Sequence, residues 1–104
     1  MIMKSLFISI VGRDKPGLLA EISSMIADLG GNIEEIRGHT IFAEKGKKIA
    51  NISMIISGED IGTLYQRLRE KLKPLAEEFN LKIQIYPIDH LIGEEKEEIG
   101  PEEE

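Results

Sequence analysis

An α+β sandwich, with two helices on one face of a four-stranded antiparallel sheet, is predicted by three features of this 104-residue sequence. Apolar residues alternate between a spacing of two and a spacing of three to four, in the order strand, helix, strand, strand, helix, strand. A polar turn, Glu44, Lys45, Gly46 and Lys47, separates the two middle strands and marks a hairpin. No cysteine is present, so disulfides, thiolate metal sites and cysteine nucleophiles are excluded and the fold must rest on an apolar core. The length suits one domain, large enough to bury a core yet small enough to lean on a partner.

Each element follows from its pattern. Lys4 to Val11 is apolar on both faces, with Leu6, Ile8 and Ile10 on one and Phe7 and Val11 on the other, as a central strand requires. Leu18, Ile22, Met25, Ile26 and Leu29 form one helical stripe, stopped by Gly30 and Gly31. Asn32 to Ala43 is extended again, and its alternation slips around Gly38, where a β-bulge is expected. After the turn, Ala50, Ile52, Met54 and Ile56 alternate with Ile49, Asn51, Ser53 and Ile55. Asp60 opens a second helix with the stripe Ile61, Leu64, Leu68, Leu72, Leu75 and Phe79, in which Pro74 predicts a kink or a fresh turn. Leu81 to Ile88 is the last strand, with Leu81, Ile83 and Ile85 toward the core.

This order is the split βαβ, or ferredoxin-like, sandwich. Right-handed crossovers put both helices on one side. The other side carries Phe7, Val11, Ile49 and Ile55, an apolar patch that favours association into a homodimer or higher assembly.

The formal charge of -6 is concentrated at one end. Residues 91–104 hold seven Glu and one Lys, while residues 1–90 hold 12 acidic and 12 basic residues. The expected organisation is therefore a neutral folded domain, 1–90, followed by an acidic tail, 91–104. A neutral domain lacks the basic face that drives nucleic-acid affinity, so no direct nucleic-acid binding is expected. Met1 to Val11 has no small-residue cleavage site, and no apolar run approaches 18 residues. A cytoplasmic protein without membrane contact is expected.

The loop between the first strand and the first helix, Gly12, Arg13, Asp14, Lys15, Pro16 and Gly17, is the most informative segment. Its glycines permit a sharp turn and close approach to a ligand, Pro16 sets φ for a helical start, and Asp14 is a candidate cap. Backbone N–H groups at such a helix start favour a carboxylate. The same features also serve a well-made turn with no ligand.

The run RDKPGLLAEIS after a strand, followed by LGGNIEEI at the entry to the second strand, resembles the ACT domain, a small regulatory module. The resemblance spans about Lys4 to Ile88, and a chain that is almost only one such domain is similar to the stand-alone ACT proteins and to those resembling the glycine cleavage system transcriptional repressor. It implies a binding module in which paired domains hold an amino acid or related small molecule at their interface. The contacts it implies are Arg13, Asp14, Pro16, Gly17, Leu18 and Leu19, with Asn32 and Ile33 from the second segment. Serine-sensing members carry histidine where Gly12 stands and asparagine where Asp14 stands, which speaks against serine.

Little in the sequence suggests catalysis. His39 and His90 have no partner at metal-ligand spacing, Ser23 and Ser24 lie in a helix without an elbow motif, and Gly12 to Gly17 lacks the Lys and Ser/Thr of a phosphate loop. Adjacent Glu34 and Glu35 are expected on opposite faces of a strand, so they cannot act as an acid and base pair. No enzyme activity, metal or cofactor is expected. Two classes remain: an amino-acid sensor that regulates a partner enzyme or transcription, and a ligand-free interaction module that uses the dimer surface.

Overall fold

The computed structural model describes residues 2–42 and 44–91, with side chains from Ser5 to Thr40 and from Lys45 to Ile88. In chain order the elements are β1 (Ile2–Arg13), α1 (Leu18–Asp28), β2 (Asn32–Phe42), β3 (Lys48–Ser57), α2 (Ile61–Phe79) and β4 (Lys82–Leu91), with a 3-10 turn at Glu44–Gly46 in the hairpin. The strands form one sheet in the order β2-β3-β1-β4, and every neighbouring pair is antiparallel. This is the expected ferredoxin-like βαββαβ sandwich. The stretch of acidic tail from residue 92 onward lies outside the described residues.

The core lies between one sheet face and the helices. Leu6, Ile8 and Ile10 of β1 and Ile52, Met54 and Ile56 of β3 meet Leu18, Ile22 and Ile26 of α1 and Leu64, Leu68, Leu72 and Leu75 of α2. Burying each such side chain contributes about 1.5–3 kcal/mol, which is why the alternation of β1 and β3 specifies their faces so firmly. On the opposite face Phe7, Val11, Ile49 and Ile55 are only half-buried, as their phase predicts. The Phe7 and Tyr86 rings meet there with centroids 5.3 Å apart.

Helix boundaries follow local chemistry. After Leu29, the N–H of Gly30 bonds to the Ala27 carbonyl and that of Gly31 to the Ile26 carbonyl, the paired bonds of a Schellman stop, with Gly30 at φ 89°. A Cβ at Gly31 would lie 2.8 Å from Ile26 Cγ2 and 3.1 Å from Ile56 Cγ2, so glycine is also required by packing. Asp60 caps α2: its carboxylate accepts from the Thr63 N–H at 3.2 Å and the Thr63 hydroxyl at 2.8 Å. Those bonds, the hydroxyl's first, hold its pKa below the ordinary 3.8. The helix α2 continues through Pro74 to Phe79, so no fresh turn begins at the proline.

The bulge in β2 lies elsewhere than expected. Ile33 pairs with Ile56 and Glu35 with Ile55, leaving Glu34 as the extra residue, while Gly38 sits in regular register opposite Ile52. The cause is visible in the sequence: Ile33 and Ile36 are three apart, and only an inserted residue between them lets both face the helices. The Glu34 carboxylate secures the insertion by accepting from Ser57 Oγ at 2.6 Å and Asn32 Nδ2 at 2.8 Å. A second expectation falls with the first. Glu34 bonds to side chains on the open face, which Glu35 also occupies, so the two carboxylates share a face rather than oppose one another. Each has its own partners, Glu35 accepting from Arg37 Nε at 2.9 Å.

Candidate functional site

The chain leaves β1 at Arg13, and the Asp14 N–H donates to the Lys48 carbonyl at 3.0 Å, which ties the loop to the start of β3. Pro16 and Gly17 then form the centre of a turn closed by the Leu18 N–H on the Lys15 carbonyl. Gly17 at φ 80° and ψ -2° takes the left-handed position that a Pro-Gly type II turn demands. The Lys15 ammonium is 4.5 Å from the centre of the Phe79 ring, so the loop also rests on the end of α2.

Gly17, not Asp14, is the N-cap of α1, and no side chain caps the helix. The expected capping role of Asp14 is therefore corrected. The turn supplies the reason: with the Leu18 N–H bonded within it, Asp14 lies outside the first helical turn. The first helical bond runs from the Glu21 N–H to the Gly17 carbonyl, and the N–H groups of Leu19 and Ala20 have no backbone partner among the described residues.

These groups border a cleft of about 760 Å³. One wall is the loop and first turn: Asp14, Lys15, Pro16, Gly17, Leu18, Leu19 and Ala20. The other is the edge strand β2 with the end of β3: Ile36, Gly38, His39, Thr40, Ala50 and Ile52. Its size suits a small molecule, and its character is an apolar floor with a polar rim. Leu19 and Ile36, each 42% exposed, flank the opening.

Of the eight residues proposed as contacts, Asp14, Pro16, Gly17, Leu18 and Leu19 line the cleft. Arg13 is exposed at the end of β1, opposite Ile49, and is not part of the lining. Asn32 and Ile33 lie at the far end of β2, beyond the bulge, with Asn32 opposite Ser57. One copy of the chain does not bring them to the loop. None of the β2 and β3 residues of the lining is among the contacts expected from the sequence. Their signal is the phase of β2 after the bulge, which turns Ile36, Gly38 and Thr40 toward the helices. His39 reaches the rim from the edge strand. Among the described residues no cluster of three or more His, Asp or Glu could hold a metal, and no helix is long and apolar enough to cross a membrane.

A βαββαβ sandwich whose first strand-helix loop borders an open cleft has the architecture of a ligand-binding regulatory domain. The sequence pattern of the ACT domain matches residues 7–72, and the chain belongs to that family. It is 30% identical over 83 residues to a UPF0237 protein of Methanococcus maripaludis, covering 80% of this chain and 87% of the other. Among solved structures, an ACT domain protein from Streptococcus pneumoniae superposes with a TM-score of 0.59 at 26% identity over 82% of this chain and 90% of that one. A candidate glycine cleavage system transcriptional repressor gives 0.68 at 22% identity, a likeness of fold over 89% of this chain and 50% of that one.

Proposed function

We propose that residues 1–90 form a cytoplasmic regulatory domain that binds an amino acid or related small molecule beside the β1–α1 loop, between two copies of the chain, and passes its occupancy to a partner enzyme or to transcription. The acidic stretch 91–104 is an appendage to it. The observation that carries this reading is the cleft itself, in which a carboxylate side chain, Asp14, and the unpartnered N–H groups of Leu19 and Ala20 border one apolar space. An ammonium suits the first and a carboxylate the second. If Asn32 and Ile33 contact the ligand, as the resemblance to the ACT domain implies, a second copy must bring them to the cleft, since one copy holds them at the far end of β2. The same chemistry gives no acid and base pair or nucleophile to a reaction.

The alternative is a ligand-free interaction module, favoured by the half-buried face of Phe7, Val11, Ile49 and Ile55. Asp14→Ala separates the two. Because Asp14 is exposed and caps nothing, the variant keeps its stability within about 0.5 kcal/mol. It loses about 1.5–3 kcal/mol of binding if the carboxylate meets an ammonium. An amino-acid panel in a thermal-shift assay that raises the melting temperature with no member would leave the interaction module.

A further inference from the structure

Among the described residues most glycines are accounted for by the backbone or by packing; Gly38 and Gly62 are not, and of these two only Gly38 borders the cleft. Gly17, Gly30 and Gly46 have positive φ. At Gly12 a Cβ would fall 2.5 Å from Leu81 Cδ2, and at Gly31 it would crowd Ile26 and Ile56. Gly38 differs from both sets. Its φ is outside the left-handed region, and a Cβ would find Ile52 Cγ1 at 3.6 Å and the Asn51 carbonyl at 3.9 Å, both ordinary contacts. A glycine in the interior of a strand weakens it and often marks a bulge, a bend, or a close approach by a ligand or another backbone; Gly38 lies in regular register, which leaves the bend or the close approach.

Gly38 lies in the wall of the cleft. Its register partner Ile52 and the nearby Ala50 are buried, while the partly exposed Ile36 and Leu19 line the same space. Any side chain at position 38 that faced the helices would enter this space. The charge of the site is also informative. Asp14 and Lys15 are the formally charged residues of the lining, and the Lys15 ammonium is held on the Phe79 ring while the Asp14 carboxylate has no side-chain partner among the described residues.

Resting on the reading of this cleft as an amino-acid site, we infer that it selects amino acids with a bulky apolar side chain, leucine, isoleucine, methionine or phenylalanine, over small or polar ones. Gly38 and Ala50 determine that specificity by leaving room for the side chain. The ligand's ammonium meets Asp14, its carboxylate meets the N–H groups of Leu19 and Ala20, and its side chain lies over Gly38 between Ile36 and Leu19. Each buried methylene adds affinity, so leucine exceeds alanine by about tenfold or more.

The test is calorimetric titration of the wild-type chain, Gly38→Val and Gly38→Ala with leucine, phenylalanine, alanine, serine and aspartate, alongside melting temperatures and light-scattering masses. Wild type is expected to bind leucine or phenylalanine at least about tenfold more tightly than alanine or serine. Gly38→Val is expected to lose that preference by at least about tenfold while melting no lower than wild type, since valine suits a strand. Gly38→Ala falls between and gives the answer if the valine variant does not fold. Serine, alanine or aspartate bound as tightly as leucine would overturn the apolar selectivity while leaving the cleft an amino-acid site. Binding of none of the five would overturn that broader reading. A changed oligomer mass in either variant, with leucine affinity intact, would assign Gly38 to contact with a second copy and overturn the inference.

Discussion

Replacing Gly31 by alanine tests how tightly the end of α1 is packed into the core. The position has no positive φ, so alanine is acceptable to the backbone, and its reduced freedom in the unfolded chain favours folding by about 0.4–1 kcal/mol. Against that, the new methyl group would sit 2.8 Å from Ile26 Cγ2, 3.1 Å from Ile56 Cγ2 and 3.2 Å from the Ile26 carbonyl oxygen. Both isoleucines are fully buried, and branching at Cβ stiffens their side chains, so relief requires the backbone to shift. Overpacking of this kind costs about 1–3 kcal/mol. The expected net loss is about 1–2 kcal/mol, or a fall in melting temperature of about 5–15 °C for a domain of this size. Urea unfolding followed by circular dichroism reads it directly. In a double-mutant cycle with Ile26→Ala, which removes the closest obstructing atom, the two losses should sum to less than expected by at least about 0.5 kcal/mol. A Gly31→Ala protein as stable as wild type, or two losses that simply add, would refute the steric account.

Leu68→Ala, at a fully buried position of α2, should lower stability by about 2–5 kcal/mol in the same denaturation assay. Asp60→Asn should change how stability depends on acid. Because the folded pKa of Asp60 is lowered, its carboxylate contributes fully above about pH 3.8, and that contribution is lost as pH falls through the lowered value. The melting temperature of wild type should therefore fall more steeply below pH 4 than that of the Asn variant; parallel curves would deny the cap its charge. Asp14→Ala should leave the melting temperature unchanged, and a clear drop would return the residue to a structural role. Gly38→Ala should melt at or slightly above wild type, since its Cβ meets only ordinary contacts.

The sheet and both helices were legible in the sequence because their side chains answer to one constraint each. Leu6, Ile8 and Ile10, or Leu64, Leu68, Leu72 and Leu75, are buried on one face, so their spacing reports the element directly. The β2 strand was harder to read, being an edge strand exposed from Glu34 to Thr40, where little burial disciplines the pattern. Glycine at 38 drew the bulge toward itself, whereas the informative signal was the three-residue step between Ile33 and Ile36. The loop half of the cleft was legible because Pro16 and Gly17 have strong local preferences. The β2 half was not, since its membership depends on the phase set by the bulge. Asp14 was misread as a cap because sequence alone does not reveal that a Pro-Gly turn stands between it and the helix.

Glu34 occupies no rung of the β2–β3 ladder, and this makes it the position at which β2 can change length without altering the cleft lining of the same copy. Losing that one residue would leave Ile33 opposite Ile56 and Ile36 opposite Met54, and the cleft would keep its lining. Losing one residue between Ile36 and Thr40 would exchange the two faces of the strand from there onward, turning positions that now face solvent toward α1. In this chain, a change of length in β2 is therefore tolerated by the cleft near Glu34, whereas a shift of one residue a few positions later would replace the β2 side of its lining.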